Sequence, residues 1–160
     1  MRKIATVLFV VVSLIMCGCS GENKPATSDF KKGLSLHLPG HFSLDSFSVE
    51  AGQNLGNKVK PVYAVRFNAA VKTMVDLYKD ERRENGVIFV SLVSEKGKKI
   101  DIFGKITSTL YQGAWRHNID VDGNPFANLG IPLTQFSGGR VIIRGSNEEK
   151  SYYAEVEQKH

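Results

Sequence analysis

The chain has 160 residues, of which 42% are hydrophobic and 23% charged, with a formal net charge of +5 and two cysteines. Length alone makes one domain the prior, and no internal repeat or low-complexity tract divides it. Both cysteines fall within the first 19 residues, so the remainder carries no disulfide, free thiol or catalytic cysteine.

Arg2 and Lys3 give the chain a short positive start. An apolar run follows from Ile4 to Met16, interrupted only by Thr6 and Ser13. A charged start, an apolar run of about 7–15 residues and a small-residue cut site define a secretory signal. The run is too short to span a bilayer, which takes roughly 20 apolar residues.

The sequence Met16-Cys17-Gly18-Cys19-Ser20 resembles the bacterial lipobox. In that class a cysteine immediately after the cut is acylated, preceded by a small residue and, three positions back, by an aliphatic one. Cys19 has Gly18 before it and Met16, in place of the usual Leu, three back. Cys17 has the bulky Met16 directly before it, which a pocket for small side chains rejects. The resemblance covers the first 20 residues and implies a lipid on Cys19. Ser20, where enterobacterial sorting uses Asp for inner-membrane retention, implies the outer membrane, with the domain facing the periplasm. The expected division is a signal at 1–18, a lipidated cysteine and flexible linker at 19–32, and a single β domain at 33–160. Cleavage takes two of the 21 basic residues and none of the 16 acidic ones, leaving about +3. Nucleic acid is not a partner for that compartment.

Period-2 alternation dominates from Gly33 onward. Leu34, Leu36 and Leu38 read as a first strand, closed by Pro39-Gly40. Phe42 and Leu44 hold one parity and Phe47 and Val49 the other, which places a bulge near Asp45. Alternate residues from Tyr63 to Leu77 keep one apolar parity without a break. Val87–Val93 is apolar on both parities except Ser91 and reads as a central strand. Ile100, Ile102, Ile106 and Leu110 mark the next, and Trp115, His117, Ile119 and Val121 the one after. Val141 and Ile143, then Tyr152, Ala154 and Val156, complete the series. Turn chemistry separates these runs at Lys96-Gly97, Gln112-Gly113, Asp122-Gly123, Gly138-Gly139 and Gly145-Ser146-Asn147. The expected class is all-β: an antiparallel sandwich or small barrel of about 7–9 strands with one long loop or short helical turn.

Candidate chemistry is sparse. His37 and His41 bracket a turn without a third ligand nearby. His117 lies on an apolar face, where a core ring satisfied by backbone or a hydroxyl is the commoner arrangement. Asp120, Asp122 and Asn124 surround Gly123, but the twelfth position of a calcium loop begun at Asp120 is Ile131, so that pattern fails. No nucleophile-elbow, phosphate-loop or zinc signature is present, and neither catalytic residues, a metal site nor a cofactor is expected.

Two surfaces suit binding instead. The loop Asn124–Phe136 is uncharged yet carries Phe126, Leu129 and Ile131, so it must either plug the domain or meet a partner. Lys96, Lys98 and Lys99 form a basic hairpin that could contact acidic groups. Phe103, Tyr111 and Tyr153 lie opposite their strands' main apolar faces, so either the sheet is covered on both sides, the first expectation, or these residues line a binding surface. The expected function is a monomeric, non-catalytic lipoprotein held to the membrane through Cys19. Its domain binds an envelope protein or peptidoglycan; an inhibitor or immunity role, or a barrel carrying a lipid, are the alternatives.

Overall fold

A computed structural model describes residues 24–158, so the signal and Cys19 lie outside the described residues. The elements are helix α1 (Thr27–His37), strands β1 (Phe42–Asn54), β2 (Val62–Thr73), β3 (Leu77–Glu84), β4 (Val87–Ser94), β5 (Lys99–Tyr111), β6 (Ala114–Val121) and β7 (Arg140–Ile143), and helix α2 (Asn147–Glu157). A four-stranded antiparallel sheet has the order β1-β2-β5-β6, and a three-stranded sheet the order β3-β4-β7. The class is all-β with two open sheets, as in a sandwich; the barrel alternative is not adopted.

Alternation in β2 and β5 places Val65, Phe67, Ala69, Val71, Ile102 and Ile106 on one buried face. The register of β1 shifts between Leu44 and Ser46, the bulge that the parity change indicates. Two hairpins close on two-residue turns with positive φ at both positions: Asn85-Gly86 between β3 and β4, and Gln112-Gly113 between β5 and β6. Left-handed conformations at both positions match the strand twist, which favours Asn and Gly there.

The long parity run from Tyr63 to Leu77 is not one strand. At Met74–Asp76 the chain leaves the larger sheet and enters the smaller one. Parity survives the crossing because Leu77 still points into the main apolar cluster. Thr73 fixes the corner. Its hydroxyl donates to the Glu95 carbonyl at 2.7 Å and accepts from the Lys98 N–H at 3.0 Å. Its backbone exchanges two further bonds with Gly97 and Lys98.

Two segments read as strands are helical. Leu34–Leu38 belongs to α1 and its C-terminal cap, and α1 also takes in 27–32, the end of the expected linker. Phe30, Leu34 and Leu38 are spaced by four, so one helix face buries all three against the larger sheet, while Leu36 points into solvent. Each such burial contributes about 1.5–3 kcal/mol, which an eleven-residue helix containing Gly33 needs because helices this short are marginal alone. The Asp29 carboxylate accepts the Ala26 N–H at 2.9 Å and secures the first turn. Tyr152–Val156 likewise lies in α2, where the Ser146 hydroxyl accepts the Glu149 N–H. The Glu149 carboxylate in turn accepts the Gly145 N–H. Tyr152, Tyr153 and Val156 pack on Val87, Phe89 and Ile142.

One pairing departs from the antiparallel expectation: β7 lies parallel to β4, with Ile88 beside Val141 and Val90 beside Ile143. β4 is thereby central, and Val87–Val90 are buried on both faces, as its unbroken apolar run indicates.

Candidate interaction surface

The larger sheet buries one face under α1, Leu77, Phe126 and Leu129 and leaves the other open. Antiparallel sheets commonly face water on one side, and the expectation that Phe103 and Tyr111 are covered fails for that reason: they are 50% and 51% exposed. Tyr153, the third of that set, is on α2, where its ring stacks on Phe89 at 5.9 Å.

Phe103 stands near the middle of the open face. Its cross-strand neighbour on β2 is Asn68, which bonds Glu50. On the β6 side its carbonyl accepts the Asp122 N–H at 2.8 Å, and the Asp122 carboxylate meets Arg66 at 3.3 Å. Asp101 and Lys105 precede and follow it on the same face. The ring thus emerges from a frame of polar groups, of which Arg66 and Asp122 pair with each other and Asn68 with Glu50. At the end of the same strand the Arg116 guanidinium lies over the Tyr111 ring, 4.4 Å from its centre. An exposed aromatic anchor inside a polar rim is the composition of protein-binding hot spots.

The loop residues singled out from sequence divide into two groups. Phe126 packs its ring on Phe42 at 4.8 Å, and it and Leu129 join the main apolar cluster. Ile131 instead pairs by backbone with Tyr78 on the edge of β3, donating at 2.9 Å and accepting at 2.8 Å. Its side chain, 37% exposed, borders a cleft of about 410 Å³ with Tyr78 and Phe136. Phe126 and Leu129 therefore serve to seat the loop, and only Ile131 presents apolar surface outward.

The basic hairpin is less free than its charge indicates. Lys99 is bound to Asp45 at 2.7 Å, with Lys72 on the second oxygen at 3.5 Å, and these two cations hold the Asp45 carboxyl below the ordinary range. Lys98 approaches the Ser94 hydroxyl at 3.5 Å. Lys96 donates its backbone N–H to Asp76.

The histidines take structural places. His37 ends α1 in solvent, and the His41 ring lies tilted against Phe42, centroids 4.6 Å apart. His117 Nδ1 lies 2.8 Å from the Ser108 hydroxyl directly across the strands, with the Phe30 ring 5.9 Å away. Burial pushes the His117 pKa down, and Asp29 on α1 works in the opposite direction. Ser108 is wholly buried, so no substrate reaches that hydroxyl. Among the described residues no three acidic or histidine side chains are grouped to hold a metal. Among them, too, no helix is long and apolar enough to cross a membrane.

No family model, curated protein or solved structure matches the chain.

Alternation marks only the two sides of a strand, so the sequence leaves a covered sheet and an open binding surface as alternatives for Phe103 and Tyr111. It does not say which side finds a cover. The signal available was the isolated Phe103 between Asp101 and Lys105, an apolar residue placed among charges on the polar parity.

Proposed function

We propose that this protein is an envelope lipoprotein, acylated on Cys19, whose β domain binds a protein partner through the open face of the larger sheet and catalyses no reaction. The half-exposed Phe103 in its polar frame carries this reading. A ring of that size is costly to leave in water, and its neighbours are arranged to surround it without covering it. The lipobox-like segment supplies the address, and Ser20 favours the outer membrane. An inhibitor or immunity role would use the same face, and the identity of the partner separates it from an assembly role.

The test is a photo-crosslinking residue at position 103 in the protein expressed in its own cell. A discrete adduct with one envelope protein is expected, absent when the same residue replaces the exposed Glu95 in the β4–β5 connection. No adduct at position 103, or the same ladder of products from both positions, would overturn the reading.

A further inference from the structure

The chain enters the fold at one particular end of the larger sheet. Phe30, in the first turn of α1, stacks on Tyr63 at 6.4 Å and packs against His117. Tyr63 pairs with Asn54 and Ser108, so this level lies just below the β1–β2 tip and the β5–β6 turn. Phe42, at the opposite end, pairs with Thr73. From the level of Tyr63 to that of Thr73 the strand rises roughly 33 Å. From Phe30 to Phe42 the chain spans only about 12 Å of helix and a few extended residues. It can link the two levels only by running down the sheet, with its N-terminus at the tip end.

What the tip displays is unusual for a loop. Val59 is 95% exposed and Leu55 50% exposed. Val59 is held outward by a built turn: the Asn57 side-chain carbonyl accepts the N–H groups of Val59 and Lys60 at 2.9 and 2.8 Å, and Leu55 and Gly56 both bond the Val62 carbonyl. Lys58 and Lys60 flank the valine. Tyr111 and Arg116 stand at the neighbouring turn, and Lys32 on the adjoining helix. Opposing them is Asp29 in the first turn of α1.

We propose that this end of the domain docks on an anionic phospholipid surface, with Val59 entering the headgroup layer and Lys58 and Lys60 meeting phosphates. The inference rests on the reading that Cys19 is acylated. Five residue steps separate Cys19 from Lys24, the first described residue, a reach of at most about 18 Å at roughly 3.6 Å each. A tether that short keeps the tip end, and not the distant Lys96–Lys99 hairpin, within reach of the bilayer. Lysines feel a charged surface only within about 8 Å at physiological salt, so proximity decides which basic cluster is used. An apolar residue flanked by bases is the composition that binds anionic interfaces.

The experiment uses the mature acylated protein carrying Val59→Cys, which has no other free thiol once Cys19 is acylated, labelled with a nitroxide and reconstituted in phosphatidylglycerol–phosphatidylethanolamine vesicles. Lys96→Cys provides the label at the far end. The label at 59 should collide severalfold less with a water-soluble nickel chelate, and more with oxygen, than the label at 96. Adding Lys58→Glu and Lys60→Glu should bring it back to the aqueous value. Equal nickel accessibility at 59 and 96 in these vesicles would overturn the docking and leave the anchor standing. A mass without acyl chains would remove the anchor, and this proposal with it.

Discussion

Ser108 and His117 face each other directly across β5 and β6, hydroxyl to Nδ1 at 2.8 Å, and α1 closes over the pair with Gly33 against the ring. A methyl group added at Gly33 would stand 2.9 Å from His117 Cδ2. The contact therefore both satisfies the buried Ser108 hydroxyl and sets how closely the first helix approaches the sheet.

That arrangement makes stability depend on pH. Burial lowers the His117 pKa from 6.5, so the unfolded chain takes up its proton first as pH falls. Stability is fully present above the unfolded value and declines as pH drops from there through the lower folded value, because the unfolded state then binds more protons. His41 is shifted the same way, also by burial, and adds to the slope. His117→Asn should flatten, without abolishing, the fall in melting temperature between about pH 7.5 and pH 5. Parallel declines in both proteins would show that the ring is not the source.

Thr73→Val should destabilise the fold by about 1–3 kcal/mol in urea unfolding. The substitution keeps the shape but removes the hydroxyl that serves both Glu95 and Lys98 at a site 2% exposed. A change below about 0.5 kcal/mol, the scale of ordinary surface substitutions, would mean that the backbone bonds alone hold the corner.

Seating of the 124–136 loop is tested by contrast. Phe126→Ala should lose about 1.5–2.5 kcal/mol, roughly half the cost at a fully buried Phe, since its ring packs on Phe42 but is only half-buried. Ile131→Ala, whose backbone makes the pairing with Tyr78 and survives the change, should leave the melting temperature nearly unaltered. The reverse order would place the anchoring side chain at 131.

Cys19→Ser should abolish incorporation of a labelled fatty acid and leave the signal poorly cut, whereas Cys17→Ser should change neither. Retention of label in the Cys19 variant would transfer the anchor elsewhere.

The strands of the larger sheet were legible because each has one buried and one wet face, and period 2 records that directly; even the bulge at Asp45 appears as a slip in parity. The helices escaped for a definable reason. Leu34, Leu36 and Leu38 satisfy period 2, but Phe30, Leu34 and Leu38 satisfy a spacing of four, and a boundary drawn at Lys32 separates Phe30 from its partners. For α2 the start signal was present as Ser146 followed three residues later by Glu149, the pattern of a capping box. Asn85-Gly86, the strongest short hairpin signal in the chain, marks the β3–β4 turn just as plainly. The crossing between sheets at Met74–Asp76 and the parallel placement of β7 leave no periodic trace, since both concern which strand is a neighbour.

The β4–β7 pair also makes the smaller sheet depend on the end of the chain. Ile88 waits for Val141 before its sheet has a third strand, and contacts so distant along the chain are slow to form. Until then β4, apolar on both sides, is an unprotected edge. A polypeptide exported N-terminus first and fastened by Cys19 would reach that stage already attached to the bilayer. Its final segment, β7 with the α2 helix behind it, covers that edge, and a chain cut short before Arg140 would leave β4 exposed in place of a finished domain.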